Sequence, residues 1–192
     1  AMREAPKIIF IGEIRDRETM DIVLSAGETG HLVFSTLHTT NAAMTLNRII
    51  GMFGTDEETQ VRERLAGAMR YIDSQRLVPT RAGGRLLVTE MMGSNLRTRE
   101  AIILGENEGR HFEDIVEAGS AYGWHTFEQS LLKAYEQDLI TEETAMLYCT
   151  NKMKMVQRLD AVSLRKPRTT ENVNALLASL RMEEERRNRP PK

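Results

Sequence analysis

The sequence predicts an α/β fold: a parallel strand–helix–strand unit, then a β-hairpin, then a succession of helices. Three observations predict it. Two β-rich apolar runs, Ile8-Ile9-Phe10-Ile11 and Leu32-Val33-Phe34-Ser35, flank a helical stretch over residues 19–28, the pattern of a parallel sheet covered on both faces. Apolar residues Leu77-Val78 and Leu86-Leu87-Val88 stand on either side of Pro79-Thr80-Arg81-Ala82-Gly83-Gly84, a turn signal between two strands. From Ser94 onward, helical spacing of apolar residues replaces the strand pattern.

In chain order, the helix over 19–28 sets Ile22, Val23 and Ala26 on one side. Residues 40–52 read as a second helix, with Ala43, Leu46, Ile49 and Ile50 at helical spacing and Gly51 and Gly54 closing it. Asp56 opens a third and forms a partial capping arrangement with Thr59. Val61, Leu65, Ala68 and Met69 face inward there, while Arg62, Glu63 and Arg64 are solvated. Residues 74–78 and 85–91 form the hairpin. Helices follow over 96–104 and 111–118, with a loop over 119–123. Two more begin after Thr126 and Thr141, whose hydroxyls are the caps; in the second, the early acids Glu142 and Glu143 suit the helix dipole.

The chemistry is expected at the carboxyl ends of the parallel strands, where open α/β sheets gather their functional groups. Glu13 follows the first strand, and Thr36-Leu37-His38 follows the second. An acidic residue there can orient an attacking water or hold a metal-bound one, as the second acidic motif of P-loop NTPases does. A neighbouring hydroxyl and imidazole are placed to sense a γ-phosphate. For an isolated residue the plainer reading stands beside this one: Glu13 as a strand-end carboxylate, His38 as a satisfied loop histidine. The combination favours the shared site. His111 and His125 have no partners at metal-ligand spacing and read as surface or loop residues.

These residues carry a family resemblance. Ile9-Phe10-Ile11-Gly12-Glu13-Ile14-Arg15-Asp16 resembles the Walker B motif of the secretion ATPases, and residues 29–40 resemble their His box. The likeness extends through Ser74-Gln75-Arg76-Leu77 to Gly123-Trp124-His125-Thr126-Phe127, so that it covers residues 5–160. The family comprises the hexameric motors of type IV pili and type II secretion. The resemblance implies the C-terminal portion of a RecA-like P-loop ATPase domain, with a helical subdomain after it. It implies ATP and Mg²⁺ as cofactors, with Glu13 as the catalytic carboxylate reaching Mg²⁺ through water and no direct protein ligand to the metal. Thr36 and His38 would face the nucleotide, and His31 would serve either the nucleotide or a subunit contact. Arg15 and Asp16 are read as a structural ion pair or an interface contact. Gln75 and Arg76 match a family motif as structural or interface residues, with no chemistry assigned.

Pilus-assembly and type II secretion members of that family typically insert two Cys-x-x-Cys pairs after the Gln-Arg-Leu motif, the spacing of a structural zinc site. Here the insert is replaced by Val78-Pro79-Thr80-Arg81-Ala82-Gly83-Gly84 without cysteine, which points to the retraction branch, the PilT-like motors. An assembly or secretion ATPase without the zinc insert is the nearest alternative. The 192 residues contain no Gly-x-x-x-x-Gly-Lys-Ser/Thr segment, the loop that cradles phosphates. The chain therefore reads as the part of a motor from Walker B onward, expected not to bind ATP tightly alone, with a non-catalytic docking module as the rival from another class.

Composition sets the remaining bounds. Hydrophobic residues at 41% and charged residues at 28% are ordinary for a globular protein. No apolar run is long enough to span a bilayer, and no signal peptide is read at the N-terminus. Cys149 is the single cysteine, read as a small packed residue in a helix, and it excludes an internal disulfide framework. The chain reads as cytoplasmic, peripherally associated with the inner face of the membrane through a pilus platform protein. Residues 151–192 carry 11 Lys and Arg against 5 Asp and Glu, yet no aromatic residue follows Tyr148, so base stacking is unavailable and nucleic acid is not an expected partner. Three units are expected: 1–93 as a partial ATPase core, 94–160 as the helical subdomain, and 161–192 as a basic linker with a C-terminal helix over 174–187.

Overall fold

The computed structural model describes residues 6–165 apart from 108 and 110. The expected linker at 166–170 and helix at 174–187 lie outside the described residues.

Strand β1 (Ile8–Ile11) leads through a short loop into helix α1 (Arg17–Glu28), and β2 (Leu32–Ser35) returns beside β1 in parallel register, Ile8 opposite Leu32 and Phe10 opposite Phe34. The helix starts where Asp16, extended at φ −137°, accepts a hydrogen bond from the Thr19 amide at 2.8 Å. It ends at Thr29, and Gly30 at φ +88° takes the left-handed conformation that turns the chain back into β2. The buried side of α1 is Met20, Leu24 and Ala26. Of the three residues read on one side of this helix, Ala26 is buried and Val23 packs against the core, whereas Ile22 is 54% exposed. The parallel pair is covered on one face only among the described residues. On the other, Ile8, Phe10, Leu32 and Phe34 are all exposed, side by side in the register.

Helix α2 (Ala42–Ile50) is capped by Asn41, whose side chain accepts from the Met44 amide, and it buries Leu46, Ile49 and Ile50 as its spacing predicts. Helix α3 (Glu58–Ala68) begins later than expected. Its N-cap is Glu57 with no side-chain cap bond, so the Asp56–Thr59 arrangement does not form. Arg62 and Arg64 are not freely solvated either. Arg62 binds Glu58 and the Ile102 carbonyl, and Arg64 clamps α1 through Asp21, Glu28 and Ser25. Strands β3 (Tyr71–Pro79) and β4 (Arg85–Gly93) form an antiparallel hairpin closed by Thr80–Gly84, with Pro79 opposite Arg85.

Helices α4 (Leu96–Leu104) and α5 (Phe112–Glu117) pack with α1 to α3 around one core, in which Leu46, Met92 and Ile102 have no solvent exposure. Helices α6 (Phe127–Glu136), α7 (Glu142–Tyr148) and α8 (Lys152–Arg165) close a second core on the far half of the hairpin around Val78, Val88, Phe127 and Leu131. Burying each such side chain contributes about 1.5–3 kcal/mol. Thr126 and Gln129 form a complete capping box on α6, and Thr141 caps α7 as expected. Cys149 is the C-cap of α7 in extended conformation, half-buried at a helix end rather than packed within a helix. The hairpin thus spans both cores. Polar clamps join them as well: Lys154 of α8 reaches Glu113, Asp114 and Glu117 of α5, and Arg158 pairs with Glu117. Burial works against the Lys154 charge, but the three carboxylates outweigh it and hold its pKa above the ordinary lysine value. Among the described residues no helix is long and apolar enough to cross a membrane.

Candidate active site at the parallel strand ends

Parallel pairing delivers the carboxyl ends of β1 and β2 to the same place. The ladder continues beyond the strands, where the Ile14 amide donates to the Thr36 carbonyl at 3.0 Å. Thr36 Oγ1 donates to the Gly12 carbonyl at 2.6 Å and ties the two loops side to side. Glu13 then projects from the first loop and His38 from the second, with His38 Nε2 at 3.2 Å from Glu13 Oε1. Arg15 closes on the other oxygen: its Nε and Nη2 stand 2.7 and 2.6 Å from Glu13 Oε2. Glu13 is 23% exposed at the side chain, whereas His38 and Arg15 are 86% and 78% exposed, so the cluster sits at the surface with the carboxylate at its base.

The electrostatics follow from this geometry. The Arg15 hydrogen bond, helped by the nearby charges of Arg15 and His38, holds the Glu13 carboxyl below the usual carboxylate range. Glu13 is therefore ionised at neutral pH and a weak proton acceptor. Such a group orients a water or a hydrated cation better than it removes a proton. A carboxylate already held by Arg15 and His38 suits contact through water with a hard cation that keeps most of its waters, as Mg²⁺ does. No group of three or more His, Cys, Asp or Glu is placed to hold a metal among the described residues.

Structure and sequence differ on the neighbours. Arg15 does not pair with Asp16; it pairs with Glu13, because Asp16 is already engaged as the cap of α1. The Thr19 amide bond holds the Asp16 carboxyl below its ordinary value. His31 lies at the opposite end of β2, about 16 Å along the strand from Thr36 at about 3.3 Å per residue. Its Nδ1 is 3.0 Å from Thr29 Oγ1 and 3.2 Å from the Ala26 carbonyl, so it is not brought to Glu13. Gln75, on the exposed side of β3, donates to Asp73 at 2.8 Å. His111 is the N-cap residue of α5, and His125 Nε2 lies 2.8 Å from Thr89 Oγ1.

Sequence reasoning missed the polar residues behind the site. Glu90 is buried on β4 and accepts from the Ala42 amide at 2.9 Å, holding the first turn of α2 directly after the His box. Burial pushes its pKa up, and the nearby Glu128 charge adds to that, against hydrogen bonds from Ala42 and Phe127 and the Arg76 charge. Glu128 is buried at the start of α6 and accepts from the Thr150 and Asn151 amides, both at 2.7 Å. The signal for Glu90 was available, since it alternates with inward Val88 and Met92 on one strand face. Glu128 gave none, because an acid in a first helical turn is ordinarily a solvated dipole partner.

The fold and this site define an α/β protein with a strand-end acid answered by a His box on the adjacent parallel strand. Residues 1–175 match the family model described as Type II/IV secretion system protein, and the chain belongs to that family. It is 39% identical over 156 residues to a twitching motility protein of Neisseria gonorrhoeae, covering 81% of this chain and 41% of the relative. It is 37% identical over 145 residues to the type IV pilus retraction ATPase PilT of Pseudomonas aeruginosa, covering 76% of this chain and 42% of the relative. The crystal structure of the pilus retraction motor PilT with bound ADP superimposes with a TM-score of 0.69 at 39% identity, over 81% of this chain and 43% of that one. The expected α/β fold is thus the fold of an ATPase relative, and the chain spans about two-fifths of the length of the relatives it matches.

Proposed function

We propose that the intact protein is an ATP-hydrolysing hexameric motor of type IV pilus retraction, with this chain supplying the part from Walker B onward. The observation that carries the reading is the convergence of Glu13, Thr36 and His38 at one pair of parallel strand ends. Glu13 orients the attacking water beside the γ-phosphate and would hold Mg²⁺ through water. When bound, Mg²⁺ supplies neutralisation of the developing phosphate charge. Ionised by Arg15, Glu13 takes this role without a proton to lose. His38 and Thr36 report the state of the nucleotide to the loop leading into α2, and His31, at the far end of β2, serves a subunit contact. The phosphate-cradling loop lies elsewhere on the polypeptide, and the uncovered apolar face of β1–β2 supports reading the chain as part of a larger ATPase core. The helices after Ser94 contact neighbouring subunits or an inner-membrane platform protein, with the motor at the cytoplasmic face of that membrane.

Retraction is favoured over assembly by the short β3–β4 turn, which carries no cysteine, and by the retraction and twitching-motility names of the relatives. The test is Mg-ATP hydrolysis by the intact protein, wild type beside Glu13→Gln. Loss of a water-orienting carboxylate lowers turnover by about 10² to 10⁴ with ATP still bound. Unchanged turnover removes Glu13 from the chemistry, and no turnover in either protein favours a docking module.

A further inference from the structure

We propose that Arg76 is a positioning residue that ties the His-box loop to the terminal helices, so that a displacement at His38 is delivered to the corner between α7 and α8. The inference rests on the ATPase reading for its functional meaning, but the link itself is geometric.

Arg76 sits in the middle of β3, between the two cores. Its guanidinium carbon lies 3.7 Å from the centroid of the Phe127 ring, which fixes the plane of the group by stacking. From that plane the donors reach in two directions. Nη2 donates to the Thr40 carbonyl at 3.0 Å, two residues beyond His38 and one before the cap of α2. Nη2 also donates to Thr150 Oγ1 at 3.0 Å, and Nη1 donates to the Tyr148 carbonyl at the C-terminus of α7. One rigid plate therefore touches both the loop that follows the catalytic cluster and the corner that leads into α8.

Each of those two elements is held again by a buried carboxylate. Glu90 grips the Ala42 amide on the His-box side, and Glu128 grips the Thr150 and Asn151 amides on the α7–α8 side. The half-buried Arg76 loses hydration, which lowers its pKa, while the charges of Glu90 and Glu128 favour its charged form. Both carboxylates act on Arg76 through their charge, and each clamps a segment of backbone that Arg76 also holds or adjoins. Between His38 and Thr40 there are only two peptide units, about 7 Å of chain at most, so the Arg76 acceptor lies close behind the imidazole along the backbone. A flat fork stacked on a ring can hold both ends; a lysine ammonium keeps the charge but has no fixed plane.

Arg76→Lys is the variant that separates linkage from folding, since it preserves the charge between Glu90 and Glu128. In the intact protein it is expected to leave ATP affinity and KM unchanged and to lower kcat about tenfold. Unchanged kcat overturns the proposal. So does a kcat loss matched by equal losses of ATP affinity and melting temperature, because that marks a merely structural role. A second readout needs no nucleotide. Thr150→Val, which removes one Arg76 acceptor at the terminal corner, is expected to shift the His38 imidazole resonances in an NMR spectrum of the wild-type background and not in the Arg76→Lys background. No shift in the wild-type background overturns the link, whether or not the protein hydrolyses ATP. A shift together with absent hydrolysis overturns the ATPase reading and supports the link.

Discussion

Trp124 offers the sharpest test of how the hairpin is seated on the helices. Gly93, the last residue of β4, is buried against the indole. A Cβ placed there would stand 2.4 Å from Trp124 Nε1, 2.6 Å from Cε2 and 2.7 Å from Cζ2. All three lie far inside the contact distance of about 3.5–4.0 Å between heavy atoms. The ring has little room to give way. It is 4% exposed, and Gly119 already meets its other portion, where an added Cβ would come 2.4 Å from Cε3. Overpacking typically costs about 1–3 kcal/mol, and a ring held at both portions places Gly93→Ala at the upper end, about 3 kcal/mol. For a domain of this size that corresponds to a fall in Tm of about 6–12 °C. Thermal unfolding read by tryptophan fluorescence measures it directly, since Trp124 is the single tryptophan of the chain. Gly67→Ala is the control. Gly67 is exposed on α3 with nothing within 4 Å of an added Cβ, and alanine there is expected to stabilise the helix by about 0.5–1 kcal/mol. Equal melting temperatures for the two variants would refute the packing argument.

Two further outcomes follow from the buried and capping carboxylates. Asp16→Ala is expected to lower the urea midpoint at neutral pH by removing the cap of α1. Because the folded-state pKa of Asp16 is lowered, its contribution is present above the ordinary carboxylate value and lost as pH falls through the folded one. The gap between wild type and variant should therefore close on acidification, and a gap independent of pH would contradict the assignment. Glu90→Gln runs with the opposite sign. Its acceptor for the Ala42 amide is retained, but the wild-type pKa is raised by burial among Arg76, Glu128 and the amides of Ala42 and Phe127. Its contribution is full below the ordinary carboxylate value and lost as pH rises through the folded one, so wild type should gain on the variant as pH falls across that window. Parallel denaturation midpoints across the window would show that Glu90 titrates ordinarily.

What could be read in advance, and what could not, divides by the reach of the interaction. Caps join residues three apart, as Thr126 with Gln129 and Thr141 with Thr144 do, so the start of α6 and of α7 is written in a few adjacent letters. The strand-end cluster was legible for a similar reason: parallel pairing is implied by the strand–helix–strand order, and it must bring the residues after β1 beside those after β2. Rotation about a helix axis was less secure. A shift of one or two positions is enough to exchange Ile22 for Leu24 as the buried residue, and the 3.6-residue period allows both. The expected start of β3 at Ser74 fell three residues short because Tyr71 and Asp73 face solvent and carry little apolar signal. Arg76 is the limiting case. Its acceptors lie 36, 72 and 74 positions away, at a loop, a helix end and a helix–helix corner, and no local period records them. A charged residue beside apolar Leu77 and Val78 announces only that it must find partners; tertiary structure decides which. That same distance in sequence is what gives Arg76 its leverage, since a side chain bonded to remote elements can move one when the other moves, whereas a cap can only steady the turn in which it stands.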